Sequence, residues 1–262
     1  MNTVRRHFLI LALWTLACTV SAQTRSVDLQ GHRGARGLLP ENTLPAFAKA
    51  LELGVTTLEL DVVATRDDVL VISHDPALNR DITRHAQGQF LSASGPNIID
   101  LTLAQVQSYD VGRIDPNSRY GKTFASQQAI DGTHIPTLAE LFAMVKASGN
   151  TRVKFAIETK LTPQRPEQTP PPERFVQMLL RVIREHGMQE RVQILSFDWR
   201  TLQLVHRLAP GLPTVYITAQ LPSLDNLGIR SGQDSAWTAG FQHRQHGSVP
   251  KMIQAAGGTH WS

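Results

Sequence analysis

TLELDVVATRDDVLVISHD, residues 57–75, opens as a strand in which acidic and apolar side chains alternate. Side chains at i and i+2 share one face of a strand, so Glu59 and Asp61 point together while Leu58, Leu60 and Val62 point the other way. An apolar face of this kind belongs against a layer of helices. Two carboxylates held this close repel one another and need a cation to remain ionised. Oxygen-only ligation suits a hard ion, Mg²⁺ or Ca²⁺, better than zinc. The same stretch ends in a second apolar run that stops at His74.

Outward from these residues, short apolar or β-branched runs alternate with helical patterns. Strands are expected at 27–32, 55–61, 69–74, 152–159, 191–196 and 214–218, with a weaker one at 258–261. Helices are expected at 43–53, with Asn42 or Thr43 as N-cap and Gly54 as stop, and at 138–145, 173–186 and 199–208. Repeated β-α units imply an α/β fold with a parallel sheet. Seven strand candidates are one short of a closed (β/α)₈ TIM barrel; a doubly wound sheet is the rival. The barrel is favoured because His32, Asp61, His74, Glu158 and Ser196 fall at or near the C-terminal ends of different strands, the face where barrel active sites form. Two polar stretches, 76–136 and 219–249, interrupt the alternation, and long insertions in a compact domain are usually functional loops.

The barrel's first candidate strand leads into QGHRGARGLLPENTLPAF, residues 30–47. Imidazole titrates nearest neutrality, which makes His32 and His74 candidates for acid and base work. Arg33 offers a planar fork for phosphate, and Gly31, Gly34 and Gly37 are read as letting backbone approach a ligand. The strand FAIETK, 155–160, adds Glu158 and, on the same face, Lys160. GKT at 121–123 is not a phosphate loop, because Pro116 stands where its first glycine belongs. His243 and His246 resemble a metal pair in spacing only.

The chain has 262 residues, 41% of them hydrophobic, and one cysteine. Its N-terminus places Arg5 and Arg6 before an apolar stretch that ends Val20-Ser21-Ala22. That layout predicts a secretory signal peptide over residues 1–22, cleaved after Ala22, and hence a periplasmic or secreted domain over 27–262. An anchor helix, or lipidation of Cys18, is the weaker alternative. Cleavage lowers the formal net charge from +4 to +2, since the segment holds two basic residues and no acidic ones. It also removes the only cysteine, which leaves no disulfide. No basic run interleaved with aromatics points to nucleic acid, and no later apolar run is long enough to span a membrane.

Taken together, HRGARGLLPENTLPAF, ELDVVATRDDVLVISHD and IETK resemble the glycerophosphodiester phosphodiesterase family. The resemblance implies hydrolysis of glycerophosphodiesters to sn-glycerol 3-phosphate and an alcohol on a (β/α)₈ barrel with one divalent cation. It implies that His32 and His74 are catalytic, that Arg33 binds phosphate, and that Lys160 contacts substrate. Glu59, Asp61 and Glu158 match the family's metal ligands, and residues 76–136 match its inserted segment. Ala156 and Leu195 stand where similar secreted members carry polar Asn and Gln. By the same resemblance the barrel continues past residue 262 through a further helix and strand, so an incomplete barrel with an open first strand is expected. A phospholipase-type enzyme of the same barrel group, or a non-catalytic binding module, is the alternative function.

Overall fold

The computed structural model describes residues 27–262. The signal-peptide reading of residues 1–22, with Cys18, lies outside the described residues. The strands are β1 (Gln30–Gly31), β2 (Thr57–Ala64), β3 (Leu70–Ile72), β4 (Lys154–Thr159), β5 (Val192–Ser196), β6 (Thr214–Tyr216), β7 (Gln220–Leu221), β8 (Leu224–Asp225) and β9 (His260–Trp261). The helices are α1 (Leu44–Glu52), α2 (Leu103–Val106), α3 (Arg119–Thr123), α4 (Leu138–Ala147), α5 (Pro172–Glu185), α6 (Trp199–Leu208), α7 (His243–His246) and α8 (Val249–Ala255).

Seven strands form one sheet, with β1-β2-β4-β5-β6-β9 as its path, and β7 and β8 pair separately. All neighbours on the path are parallel. The 69–74 strand departs from that rule. As β3 it folds back antiparallel on the end of β2, pairing Val62–Ala64 with Ile72–Leu70. The turn between them is too short for the crossover that a parallel return needs. The sheet is therefore the open α/β barrel expected from the sequence, with β1 and β9 at its two ends and no pairing between them among the described residues.

Pairing register does what the sequence could not specify. Asp61 lies directly opposite Glu158, and Glu59 opposite Ala156. Leu195 then faces Glu158 from β5, and Val215 faces Leu195 from β6. The inner face thus runs from acidic on β2 and β4 to apolar, where Ala156, Leu195 and Val215 pack together with Ile217 against them.

The outer faces of these strands bury Leu58, Leu60, Phe155, Ile157 and Ile194 under the helices. Helix α5 shows why such segments fold. Phe175, Leu179 and Ile183 recur at helical spacing and are fully buried, while Pro172 opens its first turn, where no hydrogen bond is lost. Helix α4 begins with a reciprocal cap between Thr137 and Glu140. Thr43, rather than Asn42, caps α1. The inserted segment is not a bare loop. Its Leu78, Ile98, Val106, Val111 and Ile135 bury against Val63 and Val71, giving it a small core anchored on the β2–β3 hairpin.

Candidate active site

Strand β1 delivers His32 and Arg33 immediately past its last residue. The chain then turns sharply: Arg33 has φ 53° and Gly34 φ 79°. A left-handed conformation is costly for arginine, but it aims the Arg33 N–H at Glu59 Oε2, 2.8 Å away. The Arg33 carbonyl accepts from the Asn42 N–H at 2.9 Å. Two of the three glycines are needed for packing. A Cβ at Gly34 would stand 2.8 Å from the Ala46 carbonyl carbon, and one at Gly31 would stand 2.9 Å from the Gly34 oxygen. Gly37 faces open space.

The three carboxylates predicted as metal ligands come together. Glu59, Asp61 and Glu158 are buried, and each places an oxygen within 4.8 Å of the others. Lys160 Nζ donates to Glu158 Oε1 at 2.7 Å and lies 3.6 Å from Asp61 Oδ1. Arg33 Nε lies 3.4 Å from Asp61 Oδ2, and its NH1 donates to Glu41 Oε1 at 2.9 Å. Asn42 Nδ2 donates to Asp61 Oδ2 at 3.0 Å. His32 Nε2 approaches Glu59 Oε2 to 3.8 Å. His74 Nδ1 lies 2.9 Å from Asp75 Oδ1, and Asn79 donates to the other Asp75 oxygen. His74 acts electrostatically on His32, Asp61 and Glu158, so both histidines border one cluster. Ser196 does not join it; its hydroxyl belongs to a buried network with Thr159.

The electrostatics show what this cluster lacks. Four buried carboxylates, Glu41, Glu59, Asp61 and Glu158, face two cations, Arg33 and Lys160, which leaves two formal negative charges. Burial, then the neighbouring Asp61, pushes the Glu59 carboxyl up to about 8. Burial also raises Glu158, and the pull of Lys160 does not overcome it. Asp61 is held below the usual carboxylate range: burial raises it, but Lys160, His74, Arg33 and Asn42 together outweigh that. The Oδ1 of Asn42 is buried with no hydrogen-bond partner among the described residues. Two excess charges, three convergent oxygens and an orphaned acceptor beside them fit one hard divalent cation and its bound water. Burial, followed by the charges of Arg36 and Arg33, pushes His32 down to about 4, so its imidazole is neutral at neutral pH.

Sequence reasoning missed Glu41 and Tyr120 and assigned Asn42 only a capping role. Glu41 and Asn42 sit in the quoted 30–47 stretch, and their polarity just before an apolar helix was the available signal. Tyr120 donates to Glu41 from 79 positions away, in the inserted segment, and nothing local marks it.

The profile of the glycerophosphoryl diester phosphodiesterase family matches residues 32–256. A glycerophosphodiester phosphodiesterase of Caldanaerobacter subterraneus is 34% identical over 185 residues, 69% of this chain and 62% of that protein. One from Bacillus subtilis is 29% identical over 217 residues, 81% of this chain and 67% of its own. The chain thus spans roughly two thirds of the length of these curated relatives. A crystal structure from Silicibacter pomeroyi, assigned as a glycerophosphoryl diester phosphodiesterase, superposes with a TM-score of 0.78 at 35% identity, covering 90% of this chain and 74% of that one. An Oleispira antarctica phosphodiesterase, solved in complex with the product sn-glycerol-3-phosphate, superposes with a TM-score of 0.55 at 25% identity, covering 75% and 68%.

Proposed function

The chain belongs to the glycerophosphoryl diester phosphodiesterase family, and from that premise we propose that it hydrolyses glycerophosphodiesters to sn-glycerol 3-phosphate and an alcohol, with one Ca²⁺ or Mg²⁺. The observation that carries this reading is the convergence of Glu59, Asp61 and Glu158 beside Arg33, Lys160, His32 and His74 at one end of a parallel sheet.

Glu59, Asp61 and Glu158 would hold the cation, which when bound would supply Lewis-acid polarisation of the phosphate. Arg33 and Lys160 offset charge on the remaining phosphate oxygens. His32 is neutral and accepts the proton of the attacking hydroxyl, from water or from the substrate's own glycerol. His74 Nδ1 is paired with the Asp75 carboxylate, which fixes the orientation of its ring. We assign it as the group that gives a proton to the departing alcohol oxygen as the P–O bond breaks. The polar segment 76–136 offers no apolar rim for intact lipid, which favours small water-soluble diesters.

The test is release of sn-glycerol 3-phosphate from glycerophosphocholine by the wild-type chain and by Glu158→Gln. The reading expects a loss of at least ~10²-fold in the variant. Equal rates would remove the carboxylate cluster from the mechanism. The same reading places the domain in the periplasm or outside the cell after cleavage behind Ala22. Mature protein that begins at Gln23 would support this, and retention of Met1 in active protein would contradict it.

A further inference from the structure

On the Arg33 side of the site, the inserted segment reaches the cluster through Tyr120. Tyr120, half-buried on α3, donates its hydroxyl to Glu41, and the other Glu41 oxygen accepts from Arg33 NH1 at 2.9 Å. Glu41 is thus held from two sides and meets the Arg33 fork at a fixed angle. The surrounding contacts lock the same two segments together. Arg36 lies over the Phe124 ring at 5.1 Å, and Tyr120 packs edge-on against Phe124 with centroids 5.0 Å apart. Gln127 Nε2 donates to the Arg36 carbonyl at 2.7 Å, and the Gln128 N–H to the Leu38 carbonyl at 2.8 Å. Residues 119–128 therefore clamp the loop that carries Arg33.

We propose that Tyr120 is a positioning residue: through Glu41 it fixes the Arg33 guanidinium for the substrate phosphate, so the inserted segment takes part in substrate binding. The claim rests on the reading of Arg33 as the phosphate-binding group. Three features argue for it. Arg33 needs external support, because its backbone is left-handed and its Nε, buried, has only the 3.4 Å approach to Asp61. A carboxylate with a single partner can rotate about its last torsion, whereas one bonded at both oxygens cannot. A bidentate phosphate contact depends on the orientation of the guanidinium plane more than on its charge.

The experiment is Tyr120→Phe in the full chain, which keeps the ring against Phe124 and removes only the hydroxyl. Two readouts decide it. The first needs no turnover: relaxation of the Arg33 Nε–Hε signal by ¹⁵N NMR. Rigid in the wild type, it should become mobile in Tyr120→Phe while the chain still melts cooperatively. The second is kinetic. KM for glycerophosphocholine should rise about tenfold, the scale of one hydrogen bond to a charged group, and by more than kcat falls. In an Arg33→Lys background the same change should add little. An unchanged Arg33 signal, or effects that simply add in the double variant, would overturn the proposal. If the wild type hydrolysed no diester, the activity reading would fall, while the Arg33 signal would still decide the positioning claim.

Discussion

His32 and His74 differ in their surroundings more than in their distance from the cluster. His32 is half exposed, and its partial burial together with Arg36 and Arg33 resists its protonation; His74 is hydrogen-bonded to the Asp75 carboxylate. His32→Ala and His74→Ala should each lower kcat on glycerophosphocholine by at least ~10²-fold. A diester with an activated nitrophenol leaving group needs no proton donor, so on that substrate His74→Ala should recover most of its rate and His32→Ala should not. Equal recovery in both variants would contradict the assigned roles. Glu59 makes a second prediction. Its folded value of about 8 lies above the ordinary 4.5, so between those limits the folded state binds more protons and this group lowers stability as pH rises. His32 works oppositely between about 4 and its ordinary 6.5, where the unfolded state binds more protons and stability rises with pH. Above pH 6.5 the His32 slope is spent, and the Glu59 slope, with Glu158 raised in the same direction, remains. Urea unfolding of the chelated chain should therefore show stability falling from pH 6.5 to 8, and saturating Ca²⁺ should abolish that fall by keeping the carboxylate ionised. A flat profile without metal would contradict the burial argument.

At the scale of elements, Gly34 is where a loop and a helix meet. With φ 79° and the Ala46 backbone 2.8 Å from any added Cβ, Gly34→Ala should cost about 2 kcal/mol or more and displace Arg33. Gly37→Ala, with open space and an ordinary φ, should change stability by less than ~0.5 kcal/mol. Thermal melts of the two variants check this, and equal shifts would contradict it. The contrast shows how far sequence reaches. Alternation in β2 revealed that Glu59 and Asp61 share a face, because strand periodicity is local. That Asp61 stands opposite Glu158 depends on register between segments nearly a hundred residues apart, which no local pattern encodes. The reversal of β3 is different: the apolar run is direction-blind, but the few residues between β2 and β3 cannot hold a parallel crossover, so the connection length encodes it. Helices α1, α4, α5 and α6 were legible through caps and apolar spacing. Helix α8 was missed, because its seven residues are too few for periodicity to rise above the surrounding loop.

At the scale of the molecule, the sheet ends in two open edges among the described residues. There, strand β1 pairs only with β2, and β9 only with β6. Exposed Val27, Leu29 and Trp261 lie at or beside those edges. Unpaired edges flanked by apolar side chains template further pairing, so the isolated 262-residue chain should self-associate. Sedimentation should show mass rising with concentration, and a strict monomer at all concentrations would contradict this. The carboxylate cluster lies on β2 and β4, each paired on both sides, so the site sits in the best-supported part of the sheet. The most direct measurement is release of sn-glycerol 3-phosphate from glycerophosphocholine by the purified chain, first stripped with chelator and then repleted. The account predicts no turnover in chelator and recovery on adding Ca²⁺ or Mg²⁺. The same rate with and without chelator, or no release under either condition, would contradict it.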